Sequence, residues 1–185
     1  PVLTRPSYAL DVNLLLDICK KRQGYEQVLN IMQMGFQGGV LICITPEFKL
    51  ELERKAASFV DDPALKLVNA FPVLNTPGDV SVLSESLRRI VFPDRSLERK
   101  SIQNDESDLM HLAYCILSKV SGFVTREKAL LRLSSEIKNR YGTSILSPDE
   151  LIVDDQHTPN VLMALNSDFI LEKSYNSLEV KGFLK

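Results

Sequence analysis

The feature that most limits the fold is an alternation along the chain. Short apolar runs of strand length, at Tyr8–Leu10, Val40–Ile44, Gly122–Thr125 and Thr143–Leu146, are separated by longer stretches with helical spacing. A continuous apolar run this short fits a strand buried on both faces, as parallel strands are. Strands alternating with helices imply a sheet covered by helices. The expected architecture is therefore α/β, a three-layer α/β/α arrangement around a mostly parallel sheet of about four or five short strands.

The helical stretches carry their own punctuation. Asn13–Arg22 places Leu14, Leu15, Ile18 and Cys19 on one side, and Tyr25–Phe36 places Val28, Leu29, Met32 and Phe36 together before Gly38 and Gly39 end it. Thr45 and Pro46 form an N-cap and first-turn pair for a helix running from Pro46 to about residue 60. The stretch from Pro63 to Pro77 is mixed. Leu83, Leu87, Ile90 and Val91 mark a helix over 79–91, and the polar, basic segment 92–103 reads as a surface loop or a frayed helix. The spacing then predicts helices over 105–120, with Asp105 as N-cap, and over 126–141, closed by Gly142. Ser147–Glu150 starts one last helical turn. The predicted domain spans 1–152, followed by a linker at 154–159 and an appendage over 160–185.

In an open parallel sheet the binding crevice lies outside the carboxyl ends of the strands. Four acids fall near those ends. Asp11 follows the first strand. Glu51 lies two turns into the helix after the second. Asp108 is in the first turn of the helix before the third strand, and Glu127 comes just after that strand. Four carboxylates in one cleft repel each other unless hard cations such as Mg²⁺ or Mn²⁺ neutralise them, and such a centre suits phosphoryl chemistry.

At these residues the chain resembles the PIN-domain nucleases, including the toxin ribonucleases of bacterial toxin–antitoxin pairs. The similarity is carried by ALDVNLLL with Asp11 and Asn13, ICITPEFKLELE with Thr45 and Glu51, DESDLMHLAYC with Asp108 and Ala113, GFVTREKALL with Thr125 and Glu127, and the closing SILSPDEL. It covers roughly residues 7–152. The resemblance implies that Asp11, Glu51, Asp108 and Glu127 are the metal-holding, catalytic acids, with Asp105 a fifth candidate one turn before Asp108. Asn13, Thr45 and Thr125 would orient carboxylates and hold waters. The implied reaction is metal-dependent hydrolysis of a phosphodiester, with single-stranded RNA the expected substrate. Toxin-like relatives pair with an antitoxin, and the segment 160–185 is the expected place for such a partner, a fused domain or a second copy. One departure is plain: Glu127 stands where the family has Asp. The alternative reading is a PIN fold with weak or lost catalysis, serving as an RNA-binding or protein-interaction scaffold.

Bulk properties exclude other classes. A content of 44% apolar and 25% charged residues is ordinary for a soluble globular chain, and no apolar run is long enough for a membrane span. With 22 basic and 24 acidic residues the net charge is −2, so any nucleic-acid surface must be a local basic patch. Arg88, Arg89, Arg95, Arg99, Lys100, Arg126, Lys128 and Arg132 cluster around the acids in sequence. Cys19, Cys43 and Cys115 lack CxxC spacing and read as core residues in a reducing, cytoplasmic setting. His111, one turn after Asp108, could face the site but reads first as a structural helix residue, and His157 has no metal-ligand spacing to it. No Gly-rich phosphate loop is present. A phospho-acceptor receiver domain would need an acidic pair before its first helix, which is missing here.

Overall fold

Tyr8, Ala9 and Leu10 are all buried, and so are Gly122, Phe123 and Val124, because these two runs form the interior of the sheet. The computed structural model describes residues 5–55, 68–76, 78–93 and 99–157, with backbone only at 55, 99–103 and 153–157. The chain divides into Pro1–Val153 and Asp154–Lys185, and the architecture below is that of the first unit.

Strands β1 (Ser7–Leu10), β2 (Leu41–Cys43), β3 (Gly122–Val124) and β4 (Ser144–Leu146) form one parallel sheet in the order β2-β1-β3-β4. The α/β reading with a central parallel sheet is therefore what the chain adopts. Register assigns the two faces. Ala9 lies opposite Cys43 and Phe123, and Phe123 opposite Ile145. These four point into a core shared with α4 (Val80–Val91), α5 (Arg99–Leu117), α6 (Lys128–Leu131) and α7 (Ser134–Tyr141). Tyr8, Leu10, Ile42 and Val124 point the other way, into a core with α1 (Val12–Lys20), α2 (Tyr25–Phe36), α3 (Pro46–Lys55) and the start of α8 (Pro148–His157). Alternation with a period of two thus sorts each strand between two helical layers. Each fully buried Phe or Leu on these faces, such as Phe48, Leu52 or Leu109, contributes about 1.5–3 kcal/mol of transfer free energy.

Several elements differ from the sequence expectation. Helix α5 begins at Arg99, not at Asp105. Residues 99–103 contain no Gly or Pro, and Arg, Lys and Gln are good helix formers, so polarity alone was a poor loop signal. Asp105 is consequently not an N-cap, and Asp108 sits well inside the helix. The expected helix over 126–141 is two helices, α6 and α7, parted at Arg132 and Leu133. No Gly or Pro marks that break; the Leu133 N–H bonds to the Leu130 carbonyl at 3.0 Å, which tightens the turn. The last helical turn is a ten-residue helix, α8. A capping box starts it: Ser147 N–H donates to Glu150 Oε2 at 2.7 Å and Glu150 N–H to Ser147 Oγ at 3.3 Å. The helix covers 154–157, where a linker was expected; the rest of that segment and the 160–185 appendage lie outside the described residues. Cys43 and Cys115 are buried as expected, but Cys19 is exposed near the end of α1. No helix among the described residues is long and apolar enough to cross a membrane.

Candidate active site at the carboxyl edge of the sheet

The sheet order creates the site. From β1 the chain crosses to β2 on one side, whereas β3 and β4 lie on the other, so the connections diverge at the carboxyl ends of β1 and β3. A crevice opens at such a switch point, and Asp11 and Thr125 are the residues that follow those two strands.

Asp11 extends the ladder, its N–H donating to the Val124 carbonyl at 3.0 Å, and then caps α1. Its Oδ1 accepts from the Asn13 N–H at 2.8 Å and its Oδ2 from the Thr125 hydroxyl at 2.6 Å. The same Thr125 oxygen accepts the Glu127 N–H at 2.9 Å. Asp11 is only 2% exposed, and burial pushes its carboxyl above the usual range, with Glu51 adding to the rise. The bonds from Thr125 and Asn13 oppose that push. Asn13 holds Asp11 through its backbone N–H, a service that any non-proline residue there would provide.

Glu51 reaches the crevice from α3, whose first turn is capped by Thr45 Oγ1 accepting the Phe48 N–H at 3.1 Å. Its Oε2 lies 3.0 Å from His111 Nε2. Asp108 comes from α5. Its carboxyl is raised to about 8, first by burial and then by the negative charges of Asp11, Glu127, Glu51 and Asp105. Those four acids are therefore within electrostatic reach of one side chain, so the fold brings together all five acids singled out in the sequence. Asp108 has no hydrogen-bond partner among the described residues. Asp105 is buried beside it, one turn earlier on α5.

Glu127 is the N-cap of α6, and its Oε1 accepts the Ala129 N–H at 3.1 Å. Asp11 and Asp79 make the same bond to their own helices, and Glu127 still contributes to the charge felt by Asp108.

Among the described residues no three His, Cys, Asp or Glu side chains stand close enough to hold a metal ion together. The donor set still fits a hard divalent cation. All its atoms are carboxylate oxygens, each carboxylate can accept more bonds than it makes here, and Asp108 sits at a focus of negative charge that only a proton or a cation relieves.

The basic residues are less available than their sequence positions implied. Arg126 Nε donates to Asp17 Oδ2 at 3.2 Å and Nη2 to the Gly24 carbonyl at 2.6 Å. Gly24 has φ +83, a backbone conformation that favours glycine, and a Cβ there would meet only the movable end of the Arg126 side chain. Arg88 pairs with Glu85 and Glu106. Lys128, Arg132 and Arg89 are exposed, while the side chains of Arg95, Arg99 and Lys100 lie outside the described residues.

His111 is the residue that sequence reasoning undervalued. It is fully buried, joins Thr45 to Glu51, stacks on Phe123 with centroids 5.7 Å apart and meets Phe48 edge-on. The available signal was a polar ring on the same helical face as Asp108, within a stripe that is otherwise apolar.

Fold and crevice together define an α/β protein with a cluster of acids at the switch point of a parallel sheet. Among solved structures, one of VapBC2 from Rickettsia felis bound to a DNA fragment from their promoter contains a similar chain, with a TM-score of 0.51 and 13% identity over 76% of this chain and 98% of that one. At that identity the likeness is one of fold. No family model matches the sequence, and no curated protein matches it.

Proposed function

We propose that the chain is a metal-dependent nuclease of the PIN type that hydrolyses phosphodiester bonds of single-stranded RNA. The observation that supports this most is the convergence of Asp11, Glu51, Asp105 and Glu127 on Asp108. Structural proteins gain nothing from five acids on one crevice, whereas a cation-assisted hydrolase requires such a cluster. The fold likeness to a VapBC2 chain agrees with it. Asp11, Asp108, Glu51 and Glu127 would hold Mg²⁺ or Mn²⁺, with Asp105 adjoining. Such an ion supplies a more acidic bound water and neutralises charge at a phosphodiester.

The chain's own residues prepare for this. Thr125 and the Asn13 N–H fix both oxygens of Asp11, so that this carboxylate enters the crevice in one orientation. Asp108 carries a proton at neutral pH until positive charge replaces it. Exposed Lys128 and Arg132, on and just after α6, are the candidates for holding a phosphate backbone. By the same analogy an antitoxin-like partner, or a second copy, would bind through residues 160–185, and the protein would act in the cytoplasm.

The test is cleavage of generic single-stranded RNA with Mg²⁺ or Mn²⁺. Asp11→Asn and Asp108→Asn should each abolish cleavage while the fold survives. Unchanged cleavage by both variants removes this site from consideration. The second reading, a scaffold with little catalysis, rests on Glu127 standing where the PIN nucleases have Asp; its cap on α6 is the same kind of bond that Asp11 makes to α1 and does not separate the two readings. RNA binding without cleavage at saturating metal would select that reading.

A further inference from the structure

We infer that His111 is a positioning residue for Glu51: the buried relay Thr45–His111–Glu51 aims the Glu51 carboxylate into the acid cluster and thereby sets how tightly the cluster holds a divalent cation. The inference rests on the metal-site reading above and assigns a device within it.

The relay joins two helices. Thr45 caps α3, Glu51 lies further along that helix, and His111 stands on α5, three residues after Asp108. The ring Nδ1 is 2.6 Å from Thr45 Oγ1, and Nε2 is 3.0 Å from Glu51 Oε2. Proton assignments follow from partners. Thr45 Oγ1 already accepts the Phe48 N–H, and its own hydroxyl proton needs an acceptor. A carboxylate accepts only. With Nε2 protonated, the ring donates to Glu51 and its Nδ1 accepts from Thr45, so both ring nitrogens and the Thr45 hydroxyl proton are served. The opposite tautomer would set the Nε2 lone pair against the carboxylate. Phe123 stacks flat on the ring at an interplanar angle of 17°, and Phe48 meets it at 80°, so the imidazole has no room to turn. Glu51 is a flexible side chain in a field of like charges. The Nε2 donor, 3.0 Å from Oε2, fixes the position of one of its oxygens.

The test is Mn²⁺ binding by calorimetry, with near-ultraviolet circular dichroism as a check on folding. Glu51→Gln should weaken binding. His111→Leu should weaken it by about tenfold or more, the usual effect of losing an outer partner of a ligand. His111→Gln presents an amide N–H near the Nε2 position and should restore binding to within about threefold, whereas His111→Asn mimics the Nδ1 end and should not restore it. On a Glu51→Gln background His111→Leu should add little, because the two changes interrupt one interaction. Wild-type affinity in His111→Leu alongside a weakened Glu51→Gln overturns the inference and leaves the metal site standing. An equal loss in the Leu and Gln variants, or a full additional loss on the Glu51→Gln background, also overturns it. Absence of Mn²⁺ binding in the wild-type protein overturns the metal-site reading itself. If the Leu variant does not fold, ¹⁵N spectra of the wild-type imidazole decide: an Nε2–H tautomer is expected, and an Nδ1–H tautomer sinks the relay.

Discussion

At Asp108 the chemistry of the crevice is concentrated in one titration. Its folded-state carboxyl is raised from the usual 3.8 to about 8 by burial and by four neighbouring acids. The folded protein then binds a proton that the unfolded chain has released, so this group's stabilising contribution is present at low pH and is lost as pH rises towards about 8. Metal-free protein should lose stability over that interval, with a slope of at most ~1.4 kcal/mol per pH unit for one proton. Asp108→Asn should flatten the slope and be the more stable protein at pH 9, as read by urea denaturation across the range. A wild-type curve that rises with pH there would contradict this electrostatic picture. Asp11 and Asp108 were legible as residues because each sits beside a strand end or in a recognisable string. His111 was not, since its partners Thr45 and Glu51 belong to another helix and meet it only through folding.

Helices α3 and α5 carry most of the site between them, and their mutual register matters more than either alone. Beside the relay a second tie joins them. Ser107 Oγ donates to Glu47 Oε1 at 2.7 Å, and Arg54 Nη2 reaches both Glu47 at 2.6 Å and Ser107 at 2.7 Å. Ser107 and Glu47 are buried. Ser107→Ala should cost about 1–2 kcal/mol in chemical denaturation, the range for losing one partner of a buried charged group. Nuclease activity should fall with it if the α3–α5 register positions the acids. At the other end of the sheet, Ser147→Ala removes one half of the α8 capping box and should cost about 0.5–2 kcal/mol. Neither the early start of α5 nor the break between α6 and α7 was legible. Propensity at the start of α5 is polar and carries no periodicity, and the Arg132–Leu133 turn contains no residue that forces it.

For the whole molecule, the sheet order β2-β1-β3-β4 decides which ends meet. The acid cluster costs stability through repulsion, and a cation that neutralises it should return that stability. Millimolar Mn²⁺ should therefore raise the melting temperature, more at pH 8.5 than at pH 6, because below about 8 a proton on Asp108 competes with the ion. Chelation should reverse the effect, and a melting temperature indifferent to Mn²⁺ at both pH values would argue for the scaffold reading.

The amino-acid sequence by itself determined the α/β class, the strand positions and the caps at Thr45 and Gly142, and it singled out the acids as candidates. These depend on local spacing and on side-chain chemistry close along the chain. Only the tertiary structure decided that the five acids share one field, that Glu127 folds back onto its own helix, that Arg126 is committed to Asp17 and Gly24, and that a buried histidine holds Glu51. Each of these is a matter of distance between groups far apart in the chain or of a side-chain conformation chosen in context. Hydrogen bonds act at about 3 Å and screened charges within about 10 Å, so their outcome exists only once the sheet has set those distances.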